Sequence, residues 1–380
     1  MLKARVVVVR RGVVIMERRQ VIAVFAASTI LAGAVILSSA SSAKAQAPQA
    51  ADKVWSYLAG LKPAERKAVI EREARREGAV VLYGALGIDR AKMFLDPFQA
   101  KYPEVKVEFV RLTVNEMAQK VAQESRSNRM RADAIITSTP WLDLMDQYFA
   151  PYEPAEWAAY DPRFRHGGFA KGWVAIDYEL LLEAIAWRTD RVKAAEAPKT
   201  VEDLADPRWK GRMGSITSVE RTIDGLTQQR GEEATMALMT RIAAQQNRLY
   251  PSIAALSQAL AGGEIDVAWG IGAYRAAQLK AQGAPVDWHF PTPIFSVGDM
   301  IAAARQAPHP YAAALLIDFL TAAETLQVLD KLEPGRAFAN KNGTYDIKLE
   351  SLTSLIPYRP IPEARYKELN RTVERMFIRR

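Results

Sequence analysis

Four short stretches bring together residue types that bind ligands. Ser138-Thr139 ends an apolar run and precedes Pro140, where a strand should give way to a helix. Free backbone N–H groups and the positive end of a helix dipole attract an anion at such a point, although the same hydroxyls equally suit a simple helix cap. In the stretch Ser-Ile-Thr-Ser-Val-Glu-Arg from Ser215 to Arg221, Thr217 and Glu220 have capping-box spacing, with Ser218 between them. This marks a second helix start. Arg221 is its nearby fixed cation, able to grip a carboxylate or phosphate through two N–H groups, or to lie solvated on the surface. Tyr83 ends another apolar run, placed either to close over a ligand or to pack on a sheet. Trp269 and Tyr274 flank Gly270-Ile271-Gly272 and offer flat apolar faces edged by N–H and O–H.

Other chemistries find little support. The chain contains no cysteine, which excludes a thiol nucleophile, a zinc–thiolate site and disulfides. His166, His289 and His309 stand apart in sequence without metal-ligand spacing. Gly270-Ile271-Gly272 lacks the third glycine of a dinucleotide fingerprint. Neither G-x-S-x-G nor H-E-x-x-H occurs, so the main local hydrolase signatures are missing. The expectation is a binding protein with no catalysis, no metal cluster and no resident cofactor.

The elements that must position these residues are easiest to read from Pro251 to Arg275. Ile253, Leu256 and Leu260 repeat at helical spacing over Ser252–Leu260, and Gly262-Gly263 supplies the left-handed C-cap. Glu264–Trp269 then reads as a strand, Gly270-Ile271-Gly272 as a loop and Ala273–Gln282 as a helix. Ligands in open α/β sheets bind beyond the carboxyl ends of strands, which places Trp269–Arg275 at the mouth of a site. The same rhythm governs the first part of the chain. Strands are expected at Ala79–Tyr83, Val105–Val110 and Ala132–Thr137. Helices are expected at Ala64–Gly78, Lys92–Lys101 and Asn115–Arg126, and one opening at Thr139-Pro140 with inner-face residues Trp141, Met145 and Tyr148. Alternation of this kind implies a mainly parallel sheet. Trp173–Ile176 and Ala184–Trp187 read as extended segments. Helices at Tyr311–Lys331 and Glu363–Ile378 close the chain.

A length of 380 residues suits two domains. The net charge of +8 is concentrated at the start: residues 1–45 hold seven basic residues against Glu17 alone, leaving +2 for the remainder. Nothing in that balance demands nucleic acid. Arg18-Arg19, the apolar run Val21–Leu37 and the small-residue end Ala43-Lys44-Ala45 form a signal peptide with cleavage expected after Ala45. The competing reading is an uncleaved membrane anchor. Met16 is an alternative initiator, and Arg18-Arg19 leaves the twin-arginine export route open.

Several stretches resemble bacterial solute-binding proteins of ABC importers, in the ferric-iron-binding branch. The segment LAGGEIDVAWGIGAYR carries the likeness, joined in the family's order by Glu77–Tyr83, Pro198–Gly214 and Ala304–Gln327, over a reach from Leu61 to Lys341. The resemblance implies an α/β, two-lobed periplasmic binding protein fold of type II kind with a ligand cleft between the lobes. Residues 1–45 would be the signal peptide, 46–180 the first part of lobe 1 and 181–285 lobe 2. Residues 286–380 would form the return crossover and the rest of lobe 1. Tyr83, Ser138, Thr139, Thr217, Ser218, Arg221, Trp269 and Tyr274 would then line the cleft. The implied role is periplasmic capture of a small solute by hinge closure and delivery to an ABC permease, by a monomer. A ligand-sensing module and an exported two-domain enzyme are the rivals. In the ferric branch two adjacent tyrosines ligate iron as phenolates; here Tyr274 matches the second and Ala273 replaces the first. The branch's histidine near the first strand is also missing from Tyr83–Asp89. One tyrosine does not satisfy a hard ferric ion, so the expected ligand is a small organic anion or a metal chelated by one, with direct ferric binding as the alternative.

Overall fold

Glycine and proline set the boundaries of the first helices. The computed structural model describes residues 47–378, so the signal segment expected over residues 1–45 lies outside the described residues. Helices α1 (Ala51–Ala59) and α2 (Pro63–Glu77) lead in. Pro63 suits the first turn, where no N–H donor is needed, and Gly78 at φ 70° terminates α2. Then follow β1 (Ala79–Gly84), α3 (Ile88–Lys101), β2 (Lys106–Arg111), α4 (Val114–Arg126) and β3 (Ala134–Ser138). A full capping box of Thr113 with Glu116 starts α4. After β3 the chain forms only a six-residue 3-10 turn, Thr139–Leu144, where an α-helix was expected. Strands β4 (Arg165–Gly168) and β5 (Trp173–Arg188) come next.

The middle of the chain runs β6 (Met213–Ile216), α5 (Val219–Arg230), α6 (Glu232–Ala244), β7 (Arg248–Tyr250), α7 (Ile253–Gly262), β8 (Val267–Gly272), α8 (Ala273–Ala281) and β9 (Val286–His289). The last part holds β10 (Ile294–Ala303), α9 (Pro310–Thr321), α10 (Ala323–Leu332), β11 (Arg336–Ala337), β12 (Leu355–Pro357) and α11 (Glu363–Val373). The single late helix expected over Tyr311–Lys331 is thus two helices, bent by 55° at extended Ala322.

These strands form a mixed sheet in the order β2-β1-β3-β10-β5-β8-β6-β7. At one end β1 is parallel to β2 and β3; at the other β6 is parallel to β7 and β8. Strand β5 joins the two lobes. Its first part, Ile176 to Leu182, lies antiparallel to β10, and its second part, Glu183 to Trp187, lies antiparallel to β8. The segments expected at 173–176 and 184–187 are therefore one continuous strand. Three acidic residues interrupt its apolar pattern and disguise it.

The stretch read as strand, Glu264–Trp269, is displaced toward its carboxyl end. Glu264 and Asp266 donate their N–H groups to Ala259 and Arg212 in a turn, so β8 starts at Val267 and runs through the glycines. Opposite β8 the register passes from Ala184↔Ile271 to Ile185↔Trp269, which skips Gly270. With φ at 67°, Gly270 accommodates the extra residue of a β-bulge.

The apolar core follows the strand alternation. Ala184 and Ala186 of β5 join a large cluster that runs through the first lobe and under α7 and α8, whereas Ile185 and Trp187 face a second cluster with α5 and α6. Leu369 and Val373 of α11 belong to this second cluster. The carboxyl-terminal helix packs on α5. Its inner face matches the apolar stripe of α5, and β12 ties the preceding segment to β10.

Candidate functional site

The strand that joins the lobes buries Asp177, Glu179 and Glu183, each at most 6% exposed. An unpaired buried carboxylate is costly, and each of the three has partners. Thr139 Oγ1 donates to Asp177 at 2.7 Å, and His166 Nε2 lies 3.0 Å from the same carboxylate. Burial alone would lower the His166 pKa; the charge of Asp177 outweighs it and raises it. Glu179 is gripped by Arg90 and Arg336. Arg90 also reaches Asp299 at 3.3 Å and Glu333 at 3.0 Å, and Arg336 lies 3.0 Å from Glu333. Glu183 accepts the Tyr358 hydroxyl at 3.1 Å, and the Thr222 hydroxyl lies 3.1 Å from the same phenol. Burial pushes the Glu183 carboxyl above its ordinary range, against the pull of Arg221 and Tyr358.

The structure separates the candidate residues into two groups. Tyr83 is a packed strand-end aromatic: its ring is buried and its hydroxyl donates to Glu124 of α4 at 2.9 Å. Trp269 is likewise internal, since it alternates with Val267 toward the second core cluster and its indole N–H donates to Asn247 at 2.9 Å. Neither offers its polar edge to a ligand. Thr139 is buried with its hydroxyl committed to Asp177, and Ser138 caps only the short 3-10 turn without a side-chain bond. The capping box expected of Thr217 and Glu220 does not form. Ser218 is the N-cap residue, at φ −77° and ψ 40°, and Thr217 is exposed one position earlier. Helix α5 therefore starts without a side-chain cap; the Glu220 N–H meets its own carboxylate and the Arg221 N–H reaches the Ser218 carbonyl at 3.4 Å.

Tyr274, Ser218 and Arg221 lie where the lobes meet. Tyr274, at the start of α8, packs its ring under the Arg336 guanidinium of lobe 1, 4.1 Å from the ring centre. Gly335 allows this approach: a Cβ there would come within 2.7 Å of the Tyr274 backbone. Ser218 and Arg221 line a cavity of about 360 Å³. Its first-lobe wall is Pro140, Trp141, Asp143 and Leu144, and its third wall is Ile361, Pro362, Glu363 and Tyr366 from the segment leading into α11. Trp141 and Tyr366, which both line it, touch in a tilted pair, with ring centres 6.3 Å apart and planes inclined at 60°. The Arg221 guanidinium sits 5.5 Å over the Tyr358 ring. It is attracted to Glu183 and Glu220, yet among the described residues no side chain accepts a hydrogen bond from it.

Sequence reading missed Glu220 as a wall residue, as well as Tyr366 and the whole carboxyl-terminal contribution. It also missed the arginine–carboxylate network. One signal was present: three acidic residues inside the otherwise apolar run from Trp173 to Arg188. Among the described residues, no three histidine, aspartate or glutamate side chains converge to hold a metal ion.

Two α/β lobes joined by shared strands, with a cavity and a cation between them, define the architecture of a two-lobed binding protein. The chain belongs to the bacterial extracellular solute-binding protein family, whose profile matches residues 138–345, more than half of its length. It is 28% identical over 172 residues to the Fe(3+)-binding periplasmic protein of Serratia marcescens; the match spans 43% of this chain and 48% of that relative, about half its length. Among solved structures, iron-bound HitA from Pseudomonas aeruginosa is similar with a TM-score of 0.64 and 19% identity, covering 78% of this chain and 99% of HitA. AfuA from Actinobacillus pleuropneumoniae, with exogenous fructose-6-phosphate bound, gives a TM-score of 0.63 at 19% identity, over 80% of this chain and 99% of AfuA. At these identities the structural likeness establishes the fold alone.

Proposed function

We propose that this protein is the periplasmic solute-binding component of an ABC importer. It captures a small organic solute through an anionic group held by Arg221, closes its lobes around it, and presents the closed form to a membrane permease. The observation that carries the reading is Arg221, which lines a partly open cavity where the lobes meet and whose guanidinium has no hydrogen-bond acceptor among the described residues. A charged donor left in this state gains about 1.5–3 kcal/mol when an acceptor arrives. The positive end of the α5 dipole, beside Ser218, adds to the attraction. Export by the leader at residues 1–45, a monomeric state and the absence of catalysis belong to the same reading.

Direct capture of ferric ion is the second reading, favoured by the names of the Serratia and Pseudomonas relatives. Against it, Tyr274 is covered by the fixed positive charge of Arg336, which a trivalent cation at its phenol would have to face. Native mass spectrometry of protein taken from its own periplasm tests the proposal by identifying the retained solute. An anionic organic molecule is expected. A protein that carries iron without an organic anion, with a phenolate-to-iron absorption band lost in Tyr274→Phe, would overturn it in favour of ferric binding.

A further inference from the structure

The interlobe cavity has more negative than positive side chains. Arg221 is its one cation, against Asp143, Glu220 and Glu363. Glu363 is neutralised by Lys367 one turn along α11. Asp143 is exposed to solvent and has no ion pair among the described residues. Glu220 is 4% exposed, and its carboxylate finds only its own backbone N–H and the distributed attraction of Arg221. Glu183 lies close enough behind to disfavour further negative charge. Burial pushes the carboxyls of both Glu220 and Asp143 above their ordinary range. A ligand carrying only an anion would satisfy Arg221 and leave the buried Glu220 carboxylate without a cation bonded to it. One carrying only a cation would leave Arg221 unsatisfied. The inclined faces of Trp141 and Tyr366 supply the remaining clue, because the negative faces of aromatic rings attract ammonium groups.

Resting on the reading of Arg221 as an anion receptor, we infer that the solute is a zwitterion, with a carboxylate on Arg221 and an ammonium group held by Glu220, Asp143 and the faces of Trp141 and Tyr366. Each end completes a charge that the protein leaves open. The volume of about 360 Å³ lies near the lower end of ligand cavities, roughly 300–1,000 Å³, and suits an amino acid or a betaine better than a sugar chain or a peptide.

Calorimetric titration of the mature, dialysed protein tests this with three probe series of matched length. They are the ω-amino acids from glycine to 6-aminohexanoate, the corresponding straight-chain carboxylates and the straight-chain alkylammonium ions. One length in the first series should bind at least tenfold more tightly than the carboxylate and the ammonium ion that match it. Glu220→Gln should bring the ratio of zwitterion to carboxylate affinity toward one. If Glu220 served only to fold the site, the variant would weaken both series together and keep the ratio, which would overturn the assignment. Carboxylates that bind as tightly as the ω-amino acids would overturn the zwitterion and leave Arg221 as the anion receptor. Tightest binding by the alkylammonium ions, or by none of the three series, would overturn both.

Discussion

The lobes meet at two places that use the same residue types in opposite ways. At one, Arg90 and Arg336 are tied to Glu179, Glu333 and, through Arg90, Asp299, and Tyr274 of the other lobe lies flat beneath Arg336. At the other, Arg221 shares a cavity with Glu220 and Asp143 and is hydrogen-bonded to neither. In the first network the protein itself pairs every charge, with only Arg336 Nε short of an aligned hydrogen bond; in the second it does not. Breaking a satisfied buried ion network leaves a stranded charge and costs stability. An unsatisfied one costs little to alter but has its free energy still to be gained from a ligand. Charge by itself therefore does not identify a binding site in this molecule; missing partners do.

The largest effect should come from attacking the complete network. Glu179→Ala strands Arg336, which is 3% exposed, and is expected to lower stability by about 3–5 kcal/mol, read as a shift of the urea midpoint. A midpoint within error of the parent would mean that Glu333 alone satisfies both arginines, and the contrast between the two regions would fail. In the incomplete region the effect should fall on binding instead. Arg221→Gln is expected to weaken the retained solute about ten- to hundredfold, the equivalent of a charged hydrogen-bond pair of about 1.5–3 kcal/mol, with a smaller loss of stability than Glu179→Ala. A large loss of stability without loss of affinity would reverse the assignment.

Lobe closure gives a smaller and more discriminating test. Tyr274→Leu removes the ring beneath Arg336, a contact of about 0.5–2 kcal/mol, whereas Tyr274→Phe keeps it. Small-angle scattering should show a smaller radius of gyration when the solute is added to the parent. The leucine variant should need more solute for the same contraction, and the phenylalanine variant should match the parent. Equal behaviour of both variants would show that the contact does not contribute to closure.

The smallest expected effect lies away from both regions and serves as their control. Glu77, at the end of α2, accepts the N–H groups of Tyr311 and Ala312 at the start of α9, and burial raises its pKa to about 7. A carboxyl whose folded pKa exceeds its unfolded value binds more protons when folded, so stability should fall as pH rises from 4.5 to 7. His309, raised chiefly by its hydrogen bond to Asp133, acts in the same direction above its ordinary pKa. Glu77→Gln should flatten the fall in melting temperature across that window, with solute affinity unchanged. An unaltered pH profile would remove Glu77 from the account.

The sequence alone determined what depends on neighbours along the chain. Gly78 and Gly263 stop their helices in the left-handed conformation, as glycine after an amphipathic run should. The alternation of strands and helices was legible because hydrophobic periodicity is a local property. Local patterns also placed Ser218 and Arg221 at the start of α5 and Tyr274 at the start of α8. Tertiary structure alone decided which of the hydroxyls, rings and charges stay free. Tyr83 reads like a ligand-closing aromatic until Glu124, 41 residues away, takes its hydroxyl. Thr139 reads like a helix cap until Asp177, 38 residues on, takes its own. The partners of Glu179 lie 89 and 157 residues away. Whether a polar group is satisfied depends on atoms within about 3 Å, and in a mixed sheet crossed twice by the chain, those atoms come from segments whose separation no local pattern encodes.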